Sequence, residues 1–319
     1  MRAVVFDEYG DRSVLQVADR PDPEPGPGAA LVLVGASGVN FIDVYQRTGA
    51  YQVPLPFVLG GEGAGTVLQL GEDVEGLAPG DRVAWVSVPG SHAQQAVVPA
   101  DRLVPVPEDV TTEDAAAVLL QGLTAHYLTH DSFAVRPGAT VLVHAAAGGM
   151  GQLLTRIVTH LGGRVVATAS TPAKRALAEA AGAIRAVGYD EALDAVREAT
   201  GGRMADAVYD GVGQDTFDVS LQALRPRGTL ALFGSASGKV PPFDPLRLMA
   251  GSYFLTRPTL GHFIAERGEL LERAETLFRW VAEGVVQASV TGRYPLDAVA
   301  DAYAALEGRS STGKLLIIP

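Results

Sequence analysis

The sequence predicts an α/β protein of two domains, one rich in short β-strands and one built on a doubly wound parallel sheet. Three features point there. Over roughly the first 120 residues, short runs of Val, Ala and Leu are broken by Gly and Pro. From Thr112 onward, strand-like and helix-like segments alternate, the pattern of right-handed βαβ units. Residues 140–151, TVLVHAAAGGMG, pass from a wholly apolar run into small residues, as a strand covered on both faces does when it enters a tight turn. With 319 residues, 47% of them hydrophobic, the chain can bury the cores of two domains.

In chain order, strands are expected at 2–6, 30–36, 65–70, 82–86 and 93–98. Turns are expected at 21–28, 60–65 and at Pro79-Gly80-Asp81. Asn40 or Asp43 can cap a short helix over 41–46, and Thr111 or Thr112 a longer one through EDAAAVLLQGLTAHYLT. The alternating part predicts strands at 140–144, 164–169, 183–187, 207–210 and 229–233, with helices at 152–161, 172–181, 192–200 and 217–224. Residues 253–256 read as an apolar edge strand. A long helix at 269–283, a strand near 289–294, a helix at 296–307 and a terminal strand at 314–318 complete the chain.

The turn after 140–144 matches a dinucleotide-binding fingerprint in which Ala146 stands where the first glycine would be. Gly148 lets backbone approach a pyrophosphate, Gly151 lets the helix pack against the strand, and Gly149 and Met150 lie between them. The helix N-terminus then offers free N–H groups to phosphate. About twenty residues further on, an acidic residue would select NAD through the ribose hydroxyls. The chain has Ser170, Thr171, Lys174 and Arg175 instead. Small hydroxyls leave room for a 2′-phosphate and the cations neutralise it, so NADPH is expected. The plainer alternative is a pair of solvated basic residues in the first turns of a helix.

Composition narrows the rest. A net charge of −11 argues against nucleic acid as the main ligand, since no basic excess displaces counterions. The absence of cysteine removes disulfides, thiolate nucleophiles and Cys-ligated zinc, and fits a cytoplasmic protein. No signal peptide or membrane span is evident. His126 and His130 have a metal-capable spacing, but Tyr127 stands where a HExxH motif has Glu, so no metal site is expected.

Eight blocks carry a resemblance over nearly the whole chain: GVNFIDVYQRTGAY (38–51), LGGEGAGTV (59–67), PGDRVAW (79–85), LLQGLTAHYL (119–128), HAAAGGMGQLL (144–154), VYDGVGQDTF (208–217), FLTRPTL (254–260) and STGKLLIIP (311–319). The sequence resembles the zeta-crystallin-type quinone oxidoreductases, within the zinc-independent medium-chain dehydrogenase/reductases. The resemblance implies a GroES-like β catalytic domain from 1–121 and 260–319, and a Rossmann NADP-binding domain from 122–259. It also implies a cleft between the domains and a homodimer joined through the Rossmann sheets. Zinc-dependent relatives place Cys at the position of Asn40 and His at that of Gly61, so this chain departs from them at both.

The resemblance also assigns residues. Asn40 and Tyr45 are implied to border the nicotinamide and orient a carbonyl acceptor, with Asp43, Tyr51 and Gln121 in the substrate pocket. Phe41, Ile42 and Tyr127 are implied near the cofactor, Tyr189 near the adenosine phosphate, and Phe233, Gly234 and Ser235 under the nicotinamide ribose. Phe254, Leu255 and Thr256 are implied to meet the carboxamide, and Arg309 to reach the cofactor from the final loop. Helix capping, core packing and turns are the competing readings of these positions.

The expected reaction is hydride transfer from NADPH to a quinone, which needs positioned rings and little acid catalysis. Gln121 is no proton donor of useful pKa. Reduction of an enone or enoyl thioester is the nearest alternative. A non-catalytic nucleotide- or RNA-binding role is a second, because relatives include lens and RNA-binding proteins.

Overall fold

A computed structural model describes residues 1–287, 289–308 and 311–319. The chain divides into two units, Met1–Leu120 with Ile264–Pro319, and Gln121–Phe263. The strands are β1 (Arg2–Phe6), β2 (Gln16–Asp19), β3 (Ala29–Gly38), β4 (Phe57–Val58), β5 (Glu62–Leu70), β6 (Arg82–Val86), β7 (Gln95–Pro99), β8 (Val104–Pro105), β9 (Thr140–Val143), β10 (Arg164–Thr168), β11 (Arg185–Val187), β12 (Ala205–Asp210), β13 (Leu224–Leu232), β14 (Phe254–Thr256), β15 (Val290–Pro295) and β16 (Lys314–Ile318). The helices are α1 (Phe41–Arg47), α2 (Thr112–Tyr127), α3 (Gly149–His160), α4 (Pro172–Ala180), α5 (Ala192–Ala199), α6 (Phe217–Gln222), α7 (Arg267–Ala282) and α8 (Val299–Glu307).

The first unit is a β domain of two sheets. A larger sheet runs β15-β16-β3-β5-β6-β8, with β7 also on β3, and a smaller one runs β2-β1-β4. Strand β3 is long enough to carry β5, β7 and β16, so it is the spine of the larger sheet. Val32, Val67, Val83, Trp85 and Val98 fill the core beside it. A second core joins Val4, Phe6, Leu59, Val299, Tyr303 and Ile317, bringing α8 and β16 against the N-terminal strand. The turn expected at 60–65 is mostly strand. Gly65 is required there by close approach, since a Cβ would lie 2.0 Å from the Leu33 carbonyl oxygen.

The second unit is a six-stranded parallel sheet ordered β11-β10-β9-β12-β13-β14. The chain winds outward from β9 through β10 to β11, then returns to β12 and winds the other way. The switch point therefore lies between β9 and β12, where open α/β sheets bind ligands beyond the carboxyl ends. Leu142, Val166, Val208, Phe217 and Leu230 form the core.

Several boundaries differ from expectation. Helix α3 starts at Gly149 rather than 152, because the small residues of the turn already have helical backbone. Strand β13 begins at Leu224, with a register irregularity carrying it past Pro226 and Arg227. The helix expected at 296–307 opens with a 3₁₀ turn, Leu296–Ala298, before α8. Helix α2 ends at Tyr127 in a wider turn, Leu128–Ser132, where Thr129 Oγ1 donates to the Ala125 carbonyl at 2.8 Å.

The join of β9 to α3 gives a pair of contrasting outcomes. A Cβ at Gly151 would lie 2.5 Å from Ala146 Cα and 2.6 Å from the Ala145 carbonyl oxygen, whereas one at Gly148 meets only that oxygen, at 3.4 Å. Gly151→Ala should lose about 1–3 kcal/mol of stability through forced backbone movement. Gly148→Ala should unfold at the same urea concentration as the parent.

Candidate active site

Helix α1 places the residues assigned to the acceptor. It has only seven residues, too few to be stable alone in water. Phe41 and Tyr45, four apart, share a face, and their ring centroids are 6.3 Å apart. Tyr45 and Tyr51 rings follow at 5.3 Å, and the Tyr51 N–H donates to the Tyr45 carbonyl at 2.9 Å. Tyr51 is exposed, Phe41, Ile42 and Tyr45 are half-buried, and Asn40 is buried at the helix entrance.

Beneath Asn40 lies a buried ion pair. Lys314 Nζ, on β16, is 2.5 Å from Glu62 Oε2 at the start of β5, with side chains 2% and 0% exposed. Lys314 also donates to Asn40 Oδ1 at 2.7 Å. Asn40 Nδ2 donates to Glu62 Oε2 at 2.8 Å and to the Gly38 carbonyl at 3.1 Å. Glu62 Oε1 accepts the Leu120 N–H at 2.6 Å, linking α2 to the same centre. Both amide protons of Asn40 are thus committed to the protein. The Asn40 side chain therefore has no N–H to spare for an acceptor carbonyl.

Asp43 turns inward from α1. It is fully buried, with Oδ2 accepting the Asn40 N–H at 2.8 Å and lying 2.8 Å from the Tyr303 hydroxyl of α8. It closes the N-terminus of α1 rather than lining a substrate pocket. Burial pushes its carboxyl up to about 7, against the opposing effects of Tyr303, the Asn40 N–H and Lys314. At the other end of α1, Arg47 makes a two-pronged contact with Glu307 of α8, at 3.0 and 3.1 Å.

In the second unit, residues assigned to the cofactor follow the carboxyl ends of β9, β10, β11 and β13: Gly148–Gly151, Ser170 to Lys174, Tyr189, and Phe233 to Ser235. The N–H groups of Gly149, Met150 and Gly151 precede the first bond of the α3 ladder, from Gln152 N–H to the Gly148 carbonyl. With Gly151 tight against Ala146, this backbone-lined turn fits a pyrophosphate. Across the switch point, Asp210 shapes the next turn. It accepts from Val212 N–H at 2.8 Å and Gly213 N–H at 3.0 Å, and from the hydroxyls of Thr216 and Ser220. His144 continues the network, with Nε2 3.1 Å from Ser220 Oγ and Nδ1 2.8 Å from Thr168 Oγ1. Its ring stacks on Tyr189, centroids 5.9 Å apart.

Other assigned residues have definite places. Thr171 caps α4, accepting the Lys174 N–H at 3.3 Å, and Arg175 lies 3.7 Å from Glu191. Gln121 packs against the phosphate turn, since a Cβ at Gly149 would lie 2.6 Å from its Oε1. Tyr127 is buried and stacked on Phe263 at 4.2 Å, and burial raises its hydroxyl pKa. Leu255 and Thr256 are half-buried in β14. Phe254 is 62% exposed on the free edge of the sheet, opposite Thr229, three residues before the end of β13. It is not brought to the carboxyl ends with the other residues assigned to the cofactor. Arg309 lies outside the described residues. His126 and His130 stack face to face at 4.1 Å, and among the described residues no three His, Asp or Glu side chains converge as a metal site needs.

Sequence reasoning did not single out Glu62, Lys314, His92, Tyr303, Asp210 or His144. Glu62 and Lys314 stand 252 positions apart, so no local spacing connects them. Removing one partner of a buried pair leaves the other charge uncompensated. Lys314→Met should lower stability by about 3–5 kcal/mol in urea unfolding, and adding Glu62→Gln should recover part of the loss.

Residues 26–108 match the alcohol dehydrogenase GroES-like domain, and residues 149–276 match the zinc-binding dehydrogenase family. The chain is 38% identical to a quinone oxidoreductase of Pseudomonas aeruginosa, covering 100% of this chain and 99% of that one. It is 39% identical to a 2-haloacrylate reductase of a Burkholderia species over 310 residues, 92% of each chain. A mycobacterial protein solved as a complex with NADPH is 47% identical, with a TM-score of 0.97 over 100% of both chains. A parallel-sheet unit with a phosphate turn, a GroES-like unit and full-length identity to quinone oxidoreductases together place this chain in the quinone oxidoreductase family of the medium-chain dehydrogenase/reductases.

Proposed function

We propose that the chain is an NADPH-dependent quinone reductase in which the second unit binds the dinucleotide and the Tyr45–Tyr51 face of α1 receives the acceptor. The observation that carries this is the junction of β9 and α3, where small residues and free N–H groups meet at the switch point. The dinucleotide, when bound, supplies the hydride. The side chains that follow β10 favour a 2′-phosphate: Ser170 and Thr171 are small, Lys174 brings a cation, and the chain has no acidic residue from 170 to 175. Tyr45 and Tyr51 offer flat rings for stacking and a hydroxyl to hydrogen-bond a carbonyl oxygen. Reduction to a hydroquinone consumes one hydride and one proton. Water can supply that proton once the hydride has arrived.

A second reading, reduction of an activated alkene, is supported by the identity to a 2-haloacrylate reductase. Following NADPH oxidation across small quinones, enones, 2-haloacrylates and enoyl thioesters decides between them. Rapid turnover of quinones supports the first reading, and inert quinones beside a fast alkene overturn it.

A homodimer belongs to the same reading. Strand β14 is a free sheet edge flanked by Leu246, Met249 and Phe254, which are 67%, 75% and 62% exposed. No helix among the described residues is long and apolar enough to cross a membrane. With no cysteine in the chain, a cytoplasmic site of action is consistent.

Two outcomes follow. Lys174→Ala should weaken NADPH binding roughly 10- to 150-fold, the worth of a charge-assisted contact, and leave NADH binding almost unchanged. Equal loss for both would contradict the 2′-phosphate assignment. Exhaustive chelation should leave turnover intact, and loss of activity together with stoichiometric zinc would contradict a zinc-independent reaction.

A further inference from the structure

Behind α1 the buried polar side chains form one continuous chain. Ser91 Oγ lies 2.7 Å from Ser37 Oγ. Ser37 Oγ lies 2.9 Å from the Glu62 carbonyl oxygen and 2.7 Å from His92 Nδ1. His92 Nε2 lies 2.8 Å from the Tyr303 hydroxyl, which lies 2.8 Å from Asp43 Oδ2. All five side chains are buried.

Five contacts need five protons, and their order is forced from one end. The Glu62 carbonyl only accepts, so it takes the Ser37 proton. Ser37 then accepts from Ser91 and from His92 Nδ1–H. With Nδ1 protonated, the Nε2 of a neutral imidazole accepts, and the Tyr303 hydroxyl donates to it. The Tyr303 oxygen is then left as an acceptor, and the proton between it and Asp43 must sit on Asp43. An imidazolium facing a carboxylate would satisfy the same count. Burial opposes it, pushing His92 down to about 3, with the Lys314 cation adding to the effect.

We propose that Asp43 is held as a neutral carboxylic acid donating to Tyr303, and that Asp43, Tyr303 and His92 are positioning residues fixing the helix that carries Tyr45. The positioning role rests on the reading of α1 as the acceptor face. The groups facing Asp43 are Tyr303 on α8, Lys314 on β16 and Glu62 on β5. Lys314 favours the carboxylate and Glu62 the neutral acid. Arg47 on α1 and Glu307 on α8 act on Tyr303 beside them. Because the folded protein holds this proton more tightly than the unfolded chain, the group's contribution to stability is full below the ordinary carboxyl pKa and is lost as pH rises through about 7. Above that, Asp43 has no proton to donate, the Tyr303 proton turns to it, and His92 Nε2 loses its donor.

The test is infrared difference spectroscopy of the parent against Asp43→Asn. The carbonyl stretch of a protonated carboxylic acid should be present about one pH unit below that midpoint and gone about two units above it. Its absence at the lower pH overturns the proposal. Should Asp43→Asn not fold, Tyr303→Phe, which removes the proton's acceptor, should shift the same band, and an unmoved band is equally fatal. The kcat of NADPH-dependent quinone reduction should fall on an alkaline limb sharing the band's midpoint. Asp43→Asn, which keeps a donor to Tyr303, should flatten that limb with KM for NADPH within about threefold of the parent. A flat parent profile across the band's loss overturns the positioning role. The infrared arm needs no turnover, so a band in a protein inert towards every quinone upholds the neutral acid and refutes the acceptor assignment with its positioning role.

Discussion

The Lys314–Glu62 ion pair is the interaction on which the first unit's arrangement of site residues most depends. It ties the last strand to β5, takes up the Asn40 amide on both its faces and accepts a backbone N–H from α2. A buried pair of this kind contributes less through net stability than through the penalty for separating it. That penalty fixes where β3 ends and α1 begins. One turn apart, the Arg47–Glu307 ion pair and the Asp43–Tyr303 hydrogen bond add to it, so the C-terminal α8 and β16 grip both ends of a helix too short to persist alone.

The second unit solves a different problem with different means. Its turns are shaped by the backbone and by one carboxylate. Gly151 lets α3 approach β9, and Asp210 gathers two N–H groups and two hydroxyls at the facing strand end. On the proposed function, neither device places a charged side chain at the pyrophosphate, which leaves the N–H groups of Gly149, Met150 and Gly151 as the donors there. In the proposed reading, cationic recognition falls to the far side of β10, where Lys174 lies in the first turn of α4. On the proposed function, binding the dinucleotide and choosing its 2′-substituent fall to separate residues.

The parallel sheet was legible because its signals are local. An apolar strand, small residues at fixed offsets and a second strand about twenty residues on lie within one short window. The helix over 41–46 was legible for the same reason, from Asn40 and Asp43 at capping distance. What those two side chains do was not. Asn40 meets a partner 274 positions away and Asp43 one 260 positions away, and nothing in a local pattern carries that pairing. Glycines misled where close approach, rather than turning, was their purpose, as at Gly65 within β5. Phe254 was legible as an edge strand, yet its place on that edge is apart from the carboxyl ends where the other residues assigned to the cofactor lie.

The central claim is that α1 has no stability of its own and is held in place by the C-terminal grip. Amide hydrogen exchange measures this directly, residue by residue, in the folded protein. Comparing the parent with Lys314→Met and with Tyr303→Phe, the amides of Phe41–Arg47 should exchange at least about tenfold faster in both variants, the effect of roughly 1.4 kcal/mol of lost local protection, while α3 and α4 keep their parental rates. Unchanged protection in α1, or an equal rise across all helices, would contradict the claim.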